Sequence, residues 1–483
     1  MGFLPGLLGL AALAVLLAGA GARGEGFWTA YAHALLFLYA YFLLGLYWVG
    51  IAFYADAERF GALAVPGVLA LAAILTFLQA LPLGLMGLRR WQSPFAAGLA
   101  FAVLWLMGEA LRGFLTQFPW NPIVLVWALS DATMQPIAWI GGRGLGLLTL
   151  AGAALLGLFW RTGAPRPAAA SLLLLLVPAG LGLLRLQGTD PGTDPAVPLR
   201  IVQAKVAQAA KWDPEKRRAW LKLHMDLTAG PPAFPWRLAV WPESSIPYRL
   251  DPDPEGRRFI TGVLPKNGYL VAGADHYDPG RTPPVLHNSV YALDPKGDIL
   301  ARYDKVNLVP FGEFLPFRRI FGAIGLEALA VGSIDFQPGA GRTTVTLPGI
   351  PPFSPLVCYE AAFEGRATDG TGRARWLLNV TNDAWFGEST GPYQHLAMAR
   401  MRAVETGLPL VRAANSGVSV VTDAYGRIKA RLGLGERGVL DVLLPRPLPP
   451  PPASRWPYLP WLLVALAGLV AAVVEARRHA GRS

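Results

Sequence analysis

Across 483 residues there is one cysteine, Cys358, and only six histidines. A single cysteine excludes a disulfide framework within the chain, and with it any zinc site built from several thiolates. The histidines are scattered, without the close spacing that a zinc or iron site uses, so the sequence calls for no metal and no cofactor. Charge is scarce as well: Asp, Glu, Lys and Arg make up 16% of the residues, against 53% hydrophobic ones. A formal net charge of +11 raises nucleic acid as a partner. The basic residues, however, form no long tract and no stripe interleaved with aromatics. They sit in short loops between apolar runs and over the central part of the chain, as in a bacterial membrane protein with basic inner loops. No nucleic-acid partner is expected.

Long apolar runs are what the chain has in excess. A helix needs ~20 apolar residues to cross a bilayer core, and such runs cover roughly 4–21, 27–53, 61–87, 93–115, 136–160, 168–186 and 457–475. Six runs in the first part of the chain are too many for buried helices of one soluble core. The first lacks the charged leading segment of a signal peptide and reads as a span. Arg89 and Arg90, then Arg161 and Arg166, and the tail with Arg477 and Arg478, are expected on the cytoplasmic side, and Asp56 and Glu58 outside. Alternation from these anchors puts 187–456 on the outer, periplasmic face. Glu109 and Arg112, at i and i+3 in the fourth span, read as a pair that satisfies itself. Gly142, Gly144 and Gly146 precede an apolar span rather than following a strand. They read as small residues for helix packing, not as a dinucleotide loop.

Around residue 187 the composition shifts to Gly, Thr, Asp and Pro, and a Pro-rich run at 445–456 reads as a stiff spacer. The organisation expected is a transmembrane helical bundle at 1–187, a globular domain at 196–447, and a last transmembrane helix at 457–476. Within the globular part, strands are expected at Leu199–Val206, Leu238–Trp241, Tyr269–Ala274, Ser289–Leu293, Ile299–Tyr303, Leu356–Cys358, Trp376–Val380, Val411–Asp423 and Arg427–Leu432. Helices are expected from about Pro214 to Leu227 and Pro392 to Glu405, and Asp294-Pro295-Lys296-Gly297 is a hairpin signal. Strands mixed with helices in this way predict an α/β domain with sheets covered by helices.

Cys358 ends an apolar strand and is followed by Tyr359, Glu360 and helix-compatible residues. A strand ending abruptly in a helical turn exposes its last side chain and aims backbone N–H groups at the same point, as in a nucleophile elbow. The plainer alternative is a small buried hydrophobe. Trp241-Pro242-Glu243 places a carboxylate just past a buried strand, where a desolvated general base belongs. Asp304-Lys305, continuing to Leu308-Val309-Pro310-Phe311-Gly312-Glu313, puts a lysine suited to an oxyanion and a second glutamate in one loop. Each alone is equally a solvated charge or an ion pair.

Together, these segments resemble the nitrilase, or carbon–nitrogen hydrolase, superfamily, whose Glu-Lys-Cys order they follow. Within it the chain is similar to the bacterial apolipoprotein N-acyltransferase family. Asn382-Asp383-Ala384-Trp385-Phe386-Gly387, the Gln394–Ala403 segment, Lys211-Trp212-Asp213 and Phe118-Pro119-Trp120 add to the likeness, which covers nearly the whole chain. The resemblance implies an αββα sandwich, held between membrane helices on the extracytoplasmic face of the inner membrane. Eight spans are expected of the family; seven are counted here. It further implies that Cys358 takes an acyl chain from a phospholipid as a thioester and passes it to the N-terminal α-amine of a diacylglyceryl-cysteine apolipoprotein. Glu243 is then the base, and Lys305 with the Tyr359 N–H holds the oxyanion. Glu313 orients Lys305 or the amine, and Glu360 fixes the elbow. Trp212 and Trp385 are expected to bind substrate or form a lid, or else to pack in the core. Two rivals remain at this point: a membrane-tethered amidase with the same triad, and a non-catalytic binding or scaffold protein.

Overall fold

The computed structural model describes residues 3–91, 93–188, 190–208, 213, 215–280, 284–315, 335–459, 461–463, 465–467 and 470. The apolar runs of the first half form six helices long and apolar enough to cross a membrane. Their helical cores are α1 (Phe3–Arg23), α2 (Gly26–Leu46), α3 (Ala64–Gly84), α4 (Pro94–Thr116), α5 (Ile137–Thr162) and α6 (Pro165–Leu186). The run expected as one span over 27–53 stops at Leu46 and continues as short helical turns. Of the span expected at 457–475, residues 460, 464, 468, 469 and 471–475 lie outside the described residues. Leu36, Phe77, Leu172, Leu176 and Leu184 are exposed on the outer surface of the bundle, an arrangement that suits lipid rather than water.

The connections alternate between the two ends of the bundle. Arg23, Arg89, Arg90, Arg161 and Arg166 therefore share one end. The connections 47–63 and 117–136 occupy the other, where they meet the second half of the chain. There the indole N–H groups of Trp48 and Trp120 both donate to Gln394 Oε1, at 3.1 and 2.8 Å.

Two readings of this region need correction. Glu109 and Arg112 form no ion pair among the described residues. Arg112 donates instead to Gln79 Oε1 (2.9 Å) and to the carbonyls of Phe118 (2.8 Å) and Trp120 (2.9 Å), while Glu109 accepts from Ile123 N (2.9 Å) and Trp105 Nε1 (3.0 Å). The two charges hold the 118–123 loop, whose backbone groups need partners at membrane depth. Nor are all the α5 glycines packing residues. The helix breaks at Gly141 (φ +70°), and the freed Arg143 N–H donates to Glu364 Oε1 at 3.0 Å. A Cβ at Gly142 would lie 3.2 Å from that carboxylate. Gly146, 3.0 Å from Ile123 by the same measure, does serve close packing.

The second half alternates strands and helices: β1 (Thr193–Gln203), α7 (Arg217–Ala229), β2 (Leu238–Val240), α8 (Pro254–Thr261), β3 (Tyr269–Asp278), β4 (Val285–Leu293), β5 (Ile299–Asp304), β6 (Val345–Leu347), β7 (Ile350–Val357), β8 (Trp376–Thr381), α9 (Gly391–Thr406), β9 (Leu410–Ala414), β10 (Ser419–Thr422), β11 (Ile428–Leu432) and β12 (Gly438–Pro445). They build two six-stranded sheets, ordered β12-β1-β2-β3-β4-β5 and β11-β10-β9-β8-β7-β6. The trios β1-β2-β3 and β7-β8-β9 are parallel, and the wings are antiparallel.

Period-two alternation sorts the side chains into layers. Ile201, Val240, Val357, Leu378 and Val380 enter the core between the sheets. Val202, Ala239 and Trp241 pack outward with Leu221 and Met225 of α7 and Ile260 of α8. Leu356, Leu377 and Leu410 pack outward with Ala399 and Ala403 of α9. The layers run helix, sheet, sheet, helix, the expected sandwich. The stretch Val411–Asp423, expected as one strand, is two, because Asn415-Ser416-Gly417 turns the chain back on itself. The Pro-rich run is no free spacer either. Leu448 N donates to Gly407 O at 2.9 Å, Ala453 is buried, and the run is strapped to the domain.

Candidate active site

Three strand ends converge. In a parallel arrangement the carboxyl ends of strands bring residues distant in sequence to one edge. Glu243 lies just past β2, Lys305 directly after β5, and Cys358 directly after β7. Cys358 sits at φ +52°, a left-handed conformation that costs a non-glycine residue roughly 1–2 kcal/mol. It opens a 3₁₀ turn, Cys358–Ala362, so the strand-to-turn elbow expected from sequence is present. A Cβ on Gly273 of β3 would stand 2.6 Å from Glu243 Cα, so only glycine lets the Glu243 turn rest against that strand.

The charged groups are buried and joined. Lys305 Nζ donates to Glu313 Oε1 at 2.9 Å and reaches Glu243 Oε1 at 3.5 Å, with Lys305 1% exposed. Glu243 Oε2 accepts from Asn382 N at 2.8 Å, and Glu313 Oε2 from Val309 N at 2.8 Å. Burial disfavours the lysine charge, but Glu313 and Glu243 outweigh it and hold the ammonium well above the ordinary lysine value. At Cys358, burial and then the Glu243 charge push the thiol far up, with Lys305 and a Thr381 hydrogen bond opposing. Burial and the Glu243 charge thus favour the protonated form of Cys358.

Glu360 is fully buried and turns to other partners than Glu243 and the Lys305 ammonium. It accepts from Val357 N (2.7 Å), Val306 N (2.8 Å), Asn307 N (3.0 Å) and the Tyr303 hydroxyl (3.1 Å), and pairs with Arg342 at 3.1 Å. It thereby ties the Cys358 elbow to the loop that starts at Lys305. The Tyr359 hydroxyl donates to the Gln117 carbonyl of the membrane loop. Its ring stacks with Trp120 and Phe118, centroids 6.5 and 6.4 Å away. Trp48 and Phe386 extend this aromatic wall, with ring centroids 4.5 Å apart. Trp385, in the 3₁₀ turn Asp383–Phe386, is half-buried; its neighbour Phe386 is the one in the wall. Trp212 lies outside the described residues.

Sequence reasoning missed several members of the site. Asn288 of β4 donates through Nδ2 to both Glu243 Oε1 and Glu313 Oε1, each at 2.7 Å, and so keeps two carboxylates side by side. An asparagine in a strand gives no sign of this, because its partners arrive from two other segments. Trp48 was equally hidden, and Phe386 was visible only as a member of the Asn382–Gly387 motif, without a role.

Family comparison agrees with this architecture. The Carbon-nitrogen hydrolase family model matches residues 199–448, and the model for the Apolipoprotein N-acyltransferase N-terminal domain matches residues 3–155. An apolipoprotein N-acyltransferase of Rhodopseudomonas palustris is 40% identical over 460 residues, covering 92% of this chain and 85% of that protein. One of Bradyrhizobium diazoefficiens is 39% identical over 484 residues, covering 96% and 90%. Among solved structures, a variant of the Nesterenkonia AN1 amidase from the nitrilase superfamily aligns with a TM-score of 0.38 and 23% identity, over 53% of this chain and 94% of that one.

Proposed function

The chain belongs to the apolipoprotein N-acyltransferase family, and from that membership we propose that this membrane acyltransferase carries the acyl group on Cys358. The donor is a phospholipid ester and the acceptor the N-terminal α-amine of a diacylglyceryl-cysteine lipoprotein. One observation carries the reading: a thiol at a strained strand end shares a buried site with a carboxylate and an ammonium, Glu243 and Lys305.

The steps follow from the groups present. Glu243 takes the thiol proton as Sγ attacks the ester carbonyl carbon, forming the C–S bond. The carbonyl oxygen becomes an oxyanion, held by Lys305 and the Tyr359 N–H. Collapse breaks the bond to the glycerol oxygen, which leaves as lysophospholipid with the proton from Glu243. A thioester remains. The free-base α-amine then attacks it and gives a proton to Glu243, the C–S bond breaks, and the sulfur recovers its proton. Glu313 holds Lys305 in place, and Glu360 holds the elbow. Trp385 belongs to the turn that meets the acyl chains.

The bundle gives both lipids a common surface. Arginines gathered at the far end of the bundle support a cytoplasmic position for that end. The catalytic domain, 196–447, then stands on the extracytoplasmic face of the inner membrane, between the bundle of 1–187 and the last span expected at 457–476. A soluble-amide hydrolase with the same residues has no need of a wall shared with membrane loops, such as Trp48 and Trp120 against Phe386. Incubation of purified protein with acyl-labelled phospholipid tests the proposal. A hydroxylamine-sensitive adduct on wild type, absent in Cys358→Ala and greatly reduced in Glu243→Gln, is expected. Release of ammonia from a soluble amide without an adduct favours the amidase instead.

A further inference from the structure

We propose that His395 is a positioning residue for the oxyanion site, acting through the peptide bond between Cys358 and Tyr359. His395 stands on α9, on the far side of the second sheet from the Glu243–Lys305 pair, and is completely buried. Its Nε2 lies 2.9 Å from the Cys358 carbonyl oxygen. Asn379 of β8 donates through Nδ2 to the same oxygen at 3.2 Å and to Leu356 O at 2.8 Å. A carbonyl oxygen only accepts, so the Nε2 proton is the one this contact requires.

Behind these two donors stands a buried frame. His395 Nδ1 faces Asp383 Oδ1 at 2.9 Å and Arg412 Nη2 at 3.2 Å. Arg412 Nη2 donates to Asp383 Oδ2 at 2.6 Å, and its Nη1 donates to Asn379 Oδ1. Thr381 donates to Asp383 Oδ1 at 2.9 Å. Asn379, Thr381, Asp383, His395 and Arg412 are all fully buried. Two side-chain donors on one carbonyl, each braced by this frame, fix its direction.

Geometry supplies the reason. A trans peptide is planar, and its C=O and N–H point in opposite directions. Holding the Cys358 oxygen from the α9 side therefore aims the Tyr359 N–H toward the opposite side, where an acyl oxygen on Sγ would lie. The hold matters because Cys358 occupies a sparsely populated backbone region at φ +52°, which persists only where the surroundings fix it. His395 thus touches neither substrate nor sulfur, yet sets the donor that receives the developing charge.

This inference rests on the thioester reading above, and its test separates the two. Two variants differ in where they place an N–H: a glutamine amide reaches the position of Nε2, an asparagine amide only that of Nδ1. Each is compared with wild type in two reactions of Cys358. Acylation by labelled phospholipid builds an oxyanion; alkylation by iodoacetamide does not. His395→Asn is expected to lower the acylation rate by about 10- to 100-fold, less than the 10²–10³ lost with a whole oxyanion donor, with the KM for phospholipid unchanged. Its alkylation should stay within about twofold of wild type, because thiol nucleophilicity is untouched. His395→Gln should recover most of the acylation rate. Equal acylation by His395→Asn and wild type overturns the inference, and so does a parallel loss of both reactions, which marks general damage to the site. Failure of wild type itself to acylate Cys358 overturns the thioester reading instead.

Discussion

Replacing Glu360 separates framework from chemistry, since it adjoins the nucleophile yet turns to other partners than Glu243 and the Lys305 ammonium. Its Oε1 accepts from Val306 N and Asn307 N; its Oε2 accepts from Val357 N and pairs with Arg342. Glu360→Gln keeps the shape but turns one of those atoms into an NH₂, which cannot accept. Whichever way the amide faces, two buried donors lose their acceptor. At about 1.5–3 kcal/mol for each hydrogen bond to a charged group, the variant should lose about 3–6 kcal/mol of stability. With roughly 2–4 °C per kcal/mol for a domain of this size, the melting temperature falls by about 6–24 °C. Tryptophan fluorescence during heating of the detergent-solubilised protein measures it, and adduct formation is followed well below the melt. A variant that melts with wild type but acylates about 100-fold more slowly would falsify the structural role and make Glu360 a participant in the reaction.

Other perturbations test separate parts of the account. Lys305→Met removes the cation between Glu243 and Glu313 and leaves Asn288 joining them. It should abolish measurable adduct, a loss of about 10³ or more, and lower stability by about 3–5 kcal/mol, as removal of one partner of a buried ion pair does. At Asp383, burial opposes ionisation, but Arg412 and His395 hold its carboxyl down to about 2. A folded pKa below the unfolded one gives stability that is present at higher pH and lost as pH falls from about 4 through 2. Thermal melts of wild type should drop across that window, and those of Asp383→Asn should be lower above it and flatter through it. Glu364→Ala removes the acceptor of the Arg143 N–H at the α5 break, and a loss of about 1–3 kcal/mol is expected. In a Cys358→Ala background, Asp56→Cys should react with an impermeant maleimide on intact cells, and Arg89→Cys only after permeabilisation; the reverse pattern inverts the topology.

Much of this architecture was legible because the apolar periods are strong. Spans and parallel strands such as Trp376–Thr381 are continuous hydrophobic runs bounded by turn residues, and the lone cysteine at the end of one drew attention to its elbow. Where the reading failed, the deciding partner lay in another segment. Glu109 and Arg112 are helix neighbours, and spacing alone does not reveal that both serve the 118–123 loop. Gly142 lies against Glu364, which no local pattern announces. β12 was overlooked because Asp441 interrupts it, and that aspartate is answered by the buried Arg200 of β1 at 2.7 Å. Asn288 and His395 belong to the same class, polar residues whose meaning comes from converging segments.

The central claim is tested most directly by a chase of the isolated intermediate. Enzyme carrying a labelled acyl group on Cys358 is freed of phospholipid and given a diacylglyceryl-cysteine peptide with a free amino terminus. The account predicts that label leaves the protein and arrives in amide linkage on the peptide, one for one, with an amino-acetylated peptide taking none. A thioester that outlasts the peptide, or whose label ends as free fatty acid while the peptide stays unmodified, contradicts it.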